Sequence, residues 1–193
     1  MLLASNRGPN FEKEKDETVA ALKSINSQLS IAGALSLEDL GRAAEAGFRT
    51  IVNFRPDGES PNQTPSGAAR QTAERLGLAY IHIPSTKHEL FTDAVVDAAQ
   101  AAFSRSVGPI LAHCAGGQRA AIVWAASEAR NQKPVIEILD ELSAVGFDFA
   151  FLRDDLDAQA DRPRWTQALE SAIRTPGTDA ILLDATASQK VAA

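Results

Sequence analysis

The feature that most constrains this fold is an apolar strand that runs straight into a cysteine, a double glycine and an arginine. The stretch reads Ile110-Leu111-Ala112-His113-Cys114-Ala115-Gly116-Gly117-Gln118-Arg119-Ala120. Adjacent glycines let the backbone turn sharply and direct several N–H groups to one point. The sequence from about Gln118 to Arg130 predicts a helix, whose N-terminus directs its positive dipole end and unpaired N–H groups to the same place. The pattern therefore predicts an oxyanion-binding loop around Cys114.

Cys114 is the candidate nucleophile of this loop. A helix N-terminus, a cationic neighbour and converging N–H groups all favour its thiolate form. Arg119 offers a planar fork that can hold two oxygens of a tetrahedral oxyanion. The loop between them consists of Ala115, Gly116, Gly117 and Gln118. The alternative is a small, buried apolar cysteine at a strand end, which is the common role of a lone cysteine in a cytosolic protein. The double glycine and the arginine favour the nucleophile.

Composition and charge exclude several classes of protein. The chain has 193 residues, 45% of them hydrophobic, and a net charge of −6. One domain with polar tails is the simplest organisation, and there is no basic field for nucleic acid or an anionic membrane. An anionic substrate must therefore be attracted locally. The single cysteine forms no internal disulfide, the first residues lack the apolar core of a signal peptide, and no run reaches membrane-spanning length. We expect a cytoplasmic protein.

Strand and helix patterns alternate along the chain, which predicts an α/β fold with three layers, a mainly parallel central sheet and helices on both faces. Strands are expected at about 28–32, 48–54, 78–83 and 109–112. Ser36 followed by Glu38 and Asp39 predicts a helix start. One helical face after Pro134 carries Val135, Ile138, Leu139 and Leu142. The domain is expected at 24–174, between a polar extension at 1–23 and a mobile tail at 175–193.

The end of the domain is expected to pack through aromatic residues. Core or helix-docking positions are predicted for Phe147, Phe149, Phe151 and Leu152. A further helical pattern begins at Trp165 and runs to Ile173.

Two further loops are expected beside the cysteine loop, because loops at the carboxyl ends of parallel strands meet at one edge of a sheet. In the first, Arg55 would add positive charge, and Asp57 or Glu59 would transfer protons. In the second, Pro84 to Glu89, the ionisable candidates are His88 and Glu89. The alternative for each is a solvated turn residue or a local ion pair.

The histidines show no metal-ligand spacing. His113 adjoins Cys114 but points to the opposite side of the strand, so we expect it to fix the loop by hydrogen bonding rather than to act as a base. His82 lies within a strand and is expected to be a satisfied core histidine. Three histidines and one cysteine are widely separated in the sequence, so neither a metal nor another cofactor is predicted.

Three segments in order resemble one family. They are the cysteine loop, Ile51-Val52-Asn53-Phe54-Arg55-Pro56-Asp57-Gly58-Glu59 and Tyr80-Ile81-His82-Ile83-Pro84. Together they resemble the beta-lactamase-hydrolase-like phosphatase/sulfurtransferase family, a branch of the tyrosine and dual-specificity phosphatase fold. The resemblance runs from about Ser27 to Phe151. It implies that Cys114 is the nucleophile and Arg119 the oxyanion-binding arginine.

Departures from the phosphatase pattern distinguish two chemistries. Four residues separate Cys114 from Arg119, whereas tyrosine and dual-specificity phosphatases have five; rhodanese sulfurtransferases use a similarly short loop. The hydroxyl residue that often follows the arginine in phosphatases is Ala120 here. The loop from Pro84 to Glu89 contains no aspartate to serve as general acid.

These departures favour a sulfurtransferase. Sulfite leaves thiosulfate without a general acid, whereas an alkoxide leaving group needs one, and such an acid contributes about 10²–10⁴ in rate. The expected reaction passes sulfane sulfur from a small anionic donor through a Cys114 persulfide to a thiol or cyanide. The alternative is a phosphatase in which His88, Glu89 or Asp57 donates the proton to a phosphoester. A further alternative is a domain that binds an anion or a partner without catalysis.

Overall fold

The computed structural model describes residues 22–174, in which five strands form one sheet. The strands are Lys23–Ser24 (β1), Leu29–Ala32 (β2), Thr50–Asn53 (β3), Ala79–His82 (β4) and Ile110–His113 (β5). Their order is β1-β2-β5-β3-β4. Only the pairing of β1 with β2 is antiparallel; the other three pairings are parallel. The prediction of a mainly parallel sheet is confirmed.

Helices cover both faces of this sheet. They are Leu37–Glu45 (α1), Ser66–Arg75 (α2), Asp93–Arg105 (α3), Gln118–Arg130 (α4), Val135–Ala144 (α5) and Arg153–Arg174 (α6), with a 3-10 turn at Ala150–Leu152. Alternation along the strands divides the core. Ile51 and Leu111 face α1 and α2, whereas Val52 and Ala112 face the other helices. The three-layer α/β prediction is therefore confirmed.

Local signals explain where the helices begin. At α1, the Ser36 hydroxyl accepts a hydrogen bond from the Asp39 amide, and the Asp39 carboxylate accepts one from the Ser36 amide. This reciprocal pair is a capping box. The helix predicted from Gln118 to Arg130 has those bounds in the structure.

The C-terminal part differs from the sequence expectation. Phe147 and Phe149 are buried and stack at 5.5 Å between ring centroids, but Phe151 is 75% exposed. The prediction of a core role for Phe151 is therefore wrong. The last helix begins at Arg153, well before the predicted Trp165. The sequence shows no apolar pattern there, because Leu156 is the one large apolar residue that the first turns bury.

The ends of the domain fall partly outside the described residues. The predicted extension at 1–23 and tail at 175–193 lie there, except that Lys23 already belongs to β1. The division into extension, domain and tail stays a prediction.

The sheet brings three loops to one edge. His113, the last residue of β5, lies in register with Ala32 of β2 and Asn53 of β3, and Asn53 pairs with His82 of β4. Because these strands are parallel, the segments after Asn53, His82 and His113 leave the same edge of the sheet side by side.

Candidate active site

Cys114 lies at the floor of the loop between β5 and α4. Its side chain is buried, with 1% of the residue exposed, and its Sγ accepts a hydrogen bond from the Gly117 amide at 3.1 Å. The Ala115 carbonyl accepts a hydrogen bond from the Ala34 amide, which ties the loop to the segment after β2. The loop thus directs a backbone N–H at the sulfur and is anchored to the sheet edge.

Gly117 is the position where this turn requires glycine. It precedes α4 with φ of +85°, in the left-handed region. A Cβ there would lie 3.3 Å from Cγ2 of Ile31 and 3.4 Å from the carbonyl oxygen of Ala32. Gly116, by contrast, has no atom within 4 Å of such a Cβ. Of the double glycine, only the second is required by conformation and space.

Arg119 lies in the first turn of α4 and is held by the two neighbouring loops. Its Nη1 donates to the Ser85 carbonyl at 2.8 Å, and its Nη2 donates to Oε2 of Glu59 at 2.7 Å. The side chain is 13% exposed. The guanidinium therefore lies where the loops after β3, β4 and β5 meet.

Arg55 is the second arginine at this place. Its Nε donates to the same oxygen, Oε2 of Glu59, at 2.8 Å. The pKa of Glu59 is lowered, first by the hydrogen bond from Arg119 and then by the one from Arg55. Glu59 is therefore a poor proton donor here, because both arginines favour its ionised form.

Polar residues of the sheet fix the backbone around Arg55. The Arg55 amide donates to the Asn53 side chain at 2.8 Å, and the Asn53 amide group donates to the Tyr80 hydroxyl at 2.8 Å. The His82 ring bonds to the Arg55 carbonyl at 2.9 Å. His82 is thus hydrogen-bonded, as expected, but it is only half-buried and not in the core, and it supports the loop. Sequence reasoning did not single out Asn53, since nothing local reveals its partners.

Asp57 is engaged away from the arginines. Its carboxylate accepts hydrogen bonds from the Ser66 amide at 2.8 Å and the Ser66 hydroxyl at 2.5 Å. These bonds lower the pKa of Asp57. Because Pro65 gives α2 no side-chain cap, Asp57 supplies one from the preceding loop. The structure therefore favours a structural role over the proton transfer considered for Asp57.

The loop from Pro84 to Glu89 forms its own turn. The Glu89 carboxylate accepts from the Thr86 amide at 2.8 Å and the Thr86 hydroxyl at 2.7 Å, and these bonds lower its pKa. His88 is exposed. In the described part of the chain, neither residue forms a hydrogen bond or an ion pair with Cys114 or Arg119. The hydrogen bonds of the Glu89 carboxylate are therefore made within its own loop.

His113 is buried beneath the site. Burial lowers its pKa to about 4 because the charged ring loses its hydration. Among residues 22–174 only the backbone of Cys114 offers the ring a polar contact, and neither ring nitrogen makes a hydrogen bond of normal geometry. The Cys114 backbone partly offsets the effect of burial on the ring, and the role of His113 in fixing the loop stays a prediction.

Between residues 22 and 174 no three His, Cys, Asp or Glu side chains are grouped closely enough to hold a metal ion. Over the same range no helix has the length and apolar character needed to cross a bilayer.

Comparison with known proteins identifies the family. Residues 21–131 match the sequence model of the beta-lactamase hydrolase-like protein, phosphatase-like domain. The chain belongs to this family. The phosphatase-like domain also aligns with the beta-lactamase hydrolase-like protein of Xylella fastidiosa, with 37% identity over 139 residues. That alignment covers 70% of this chain and 32% of the relative. The chain thus spans about a third of the length of the curated relatives it matches.

Solved structures of two phosphatases share the fold of this phosphatase-like domain. A "putative phosphatase" of Neisseria meningitidis superimposes with a TM-score of 0.64 and 27% identity, over 72% of this chain and 98% of that one. Kinase-associated phosphatase superimposes with a TM-score of 0.58 and 14% identity, over 76% and 97%. The predicted family and fold are confirmed, and both agree with the prediction of a cysteine-dependent enzyme, either a sulfurtransferase or a phosphatase.

Proposed function

We propose that this phosphatase-like domain is a sulfurtransferase that passes sulfane sulfur through a Cys114 persulfide. One observation carries the proposal: the carboxylates of the flanking loops are all engaged in hydrogen bonds that lower their pKa, namely Asp57, Glu59 and Glu89. These hydrogen bonds make each of the three a poor proton donor. A reaction whose leaving group needs no proton suits such a site.

The proposed reaction has two displacements. The Cys114 thiolate attacks the outer sulfur of thiosulfate, the sulfur–sulfur bond breaks, and sulfite leaves with the electron pair. The Cys114 persulfide then receives attack at its outer sulfur by a small thiolate or cyanide, which takes that sulfur and restores the Cys114 thiolate. Atoms and charge balance without an oxidant. A reducing cytoplasm would supply the thiol.

Each residue of the loop has a part in this proposal. The amide of Gly117, which already contacts the sulfur, would hold the persulfide together with the other N–H groups of the loop. Arg119 would bind the oxygens of the sulfite group, and Arg55 would add positive charge beside it. The other loop members are Ala115, Gly116 and Gln118.

Phosphoester hydrolysis is the second candidate, and the family description and the fold of the solved phosphatases support it. Cys114 would form a phosphocysteine, and a small phosphoester would be the substrate. The leaving oxygen would need a proton, and a positioned acid contributes about 10²–10⁴ in rate. His88, exposed on the loop after β4, is the remaining candidate, because Asp57 and Glu89 are engaged.

Intact-protein mass spectrometry separates these reactions. Wild type and Cys114→Ser are incubated with thiosulfate, and separately with a small aryl phosphate whose phosphate release is followed. The proposal expects one added sulfur atom on wild type only, which is lost on addition of cyanide or a thiol. Phosphate release that depends on Cys114, without a sulfur adduct, would replace the proposal with hydrolysis. If neither reaction is observed, the domain binds anions without turning them over.

A further inference from the structure

Two arginines at the site share a single oxygen atom. Nε of Arg55 and Nη2 of Arg119 lie 2.8 Å and 2.7 Å from Oε2 of Glu59. Both arginine side chains are mostly buried, with 14% and 13% exposed. Two guanidinium groups that reach one atom repel each other strongly when little water screens them. This arrangement therefore needs an anion between the two arginines.

Glu59 supplies that anion and has nothing else to hold it. Its hydrogen bonds and ion pairs within the described residues go to Arg55 and Arg119 alone. Its side chain is 35% exposed and follows Gly58, which has φ of +78° in a surface turn. Asp57 of the same loop, by contrast, is fixed to the start of α2. Glu59 can therefore leave the arginine pair by turning into water.

Oε2 of Glu59 accepts hydrogen bonds from both arginines, which are contacts that an oxygen of a bound oxyanion could also make. Each arginine presents a charge-assisted N–H to that point, and Arg119 is also the first-turn arginine of the helix that follows Cys114. A tetrahedral dianion offers more charge and more acceptor atoms to the pair than one carboxylate does. An incoming divalent oxyanion can thus replace the carboxylate.

We propose that Glu59 is an internal competitor that occupies the Arg55–Arg119 pair in the free protein and is displaced by the oxyanion end of the substrate. Arg55 is then a binding residue for that end. This role of Glu59 rests on the proposed function, in which the sulfite group of thiosulfate would be the displacing anion. A phosphoryl group would displace Glu59 by the same contacts. The consequence is a preference for small divalent oxyanions over monovalent ones.

The other possible role for Glu59 is to position Arg119. The two roles predict opposite changes in anion affinity when Glu59 is replaced. Removing a competitor frees the arginine pair and tightens anion binding, whereas removing a positioning residue leaves Arg119 less ordered and weakens it. Replacement of Glu59 by glutamine keeps the shape of the side chain while removing its charge.

Sulfate binding to the full chain carrying Cys114→Ser tests the proposal. Inorganic sulfate is titrated by calorimetry at constant ionic strength, with and without Glu59→Gln. If the arginine pair is free in about one molecule in ten, removing the competitor tightens sulfate binding about tenfold. Glu38→Gln removes the same charge from an exposed pair with Arg42 on α1 and should leave the affinity unchanged. Arg55→Gln should weaken it.

Unchanged or weaker sulfate binding in Glu59→Gln would overturn the proposal. Thiosulfate kinetics in the chain that retains Cys114 give an independent readout: a competitor predicts a lower KM with kcat retained, and a positioning role predicts a lower kcat. Sulfate binding requires no reaction. The competitor role can therefore stand while sulfur transfer fails, and the reverse outcome is equally visible.

Discussion

The two ends of α4 each carry a nearly buried arginine, and the two are held differently. Arg130, 6% exposed, donates to Asp93 and Asp97 of α3 and to Gln159 of α6. These partners belong to two packed helices. Arg119 is held by the Ser85 carbonyl and by one carboxylate on a surface loop. Arg130 thus joins three helices, whereas Arg119 has a carboxylate partner that can leave.

The helix dipole explains why the two ends differ in use. The C-terminus of α4 carries partial negative charge and stabilises Arg130 directly. The N-terminus carries partial positive charge, so Arg119 adds a cation where the helix already favours an anion. Arg130 is therefore satisfied by the fold, whereas Arg119 retains an attraction for an anion. The same residue type contributes to structure at one end and to the candidate site at the other.

Replacement of Arg119 should give the largest effect and the clearest separation of the two ends. We expect Arg119→Gln to lower the rate of thiosulfate sulfur transfer by about 10²–10³, because a donor aimed at developing negative charge is lost. The melting temperature should change little, since the partner Glu59 is a third exposed. Rates and thermal unfolding are measured on the same sample. A large loss of stability with activity retained would mean that Arg119, like Arg130, mainly stabilises the fold.

His113 tests whether a buried titratable group beside the candidate site lowers the stability of the fold. Its pKa is about 4 when folded, against 6.5 when unfolded. The unfolded chain therefore binds a proton first, and stability falls as the pH is lowered from about 6.5 to 4. At 1.36 kcal/mol per pKa unit, the loss is about 3 kcal/mol.

The measurement compares urea unfolding of wild type and His113→Leu at pH 7, 6, 5 and 4. Leucine has no ring nitrogens to bury, so the variant should lose less stability across this range. The carboxylates with lowered pKa affect both proteins equally and cancel in the difference. Parallel pH curves would mean that the ring reaches water or a partner in solution.

Replacement of Arg130 should affect stability rather than catalysis. Removing one partner of a buried ion pair generally costs about 3–5 kcal/mol. For Arg130→Gln we expect a smaller loss of stability, about 2 kcal/mol, because the partners Asp93 and Asp97 are 48% and 65% exposed. Denaturant unfolding measures this. Arg42→Gln, in an exposed pair on α1, is the matched control and should cost about 0.5 kcal/mol or less. Equal losses would show that the Arg130 network is only a surface network.

Local signals made most of the fold predictable. The Ser36 capping box, the glycine at the start of α4 and the spacing of Val135, Ile138, Leu139 and Leu142 each act within one or two turns, and the structure confirms all three. The first half of α6 was missed because it is held by long-range polar contacts. Gln159, for example, bonds to Arg130 and to the Phe91 carbonyl. No periodicity in the sequence encodes such partners.

The site was predictable to the level of the loop but not of the side chain. The order of strands brought Arg55 and Arg119 together, and the positions of both follow from parallel topology. Parallel topology does not determine which carboxylate lies between the two arginines. Asp57 and Glu59 are two residues apart in one turn, yet Ser66 takes the first and the arginines take the second. The i,i+4 spacing of Arg55 and Glu59 was the available hint.

Replacement of Asp57 should have the smallest effect on stability, and it distinguishes the role of Asp57 from that of Glu59 in the same turn. Asp57→Ala removes the cap of α2 and should cost about 1 kcal/mol of stability. Its lowered pKa means that the cap stabilises the protein above the unfolded value of 3.8 and is lost as the pH falls through the lower folded value. Sulfur transfer should be unchanged. If Asp57→Ala instead abolished phosphate release from an aryl phosphate while stability held, Asp57 would be the general acid, and hydrolysis would displace sulfur transfer as the reaction of this loop.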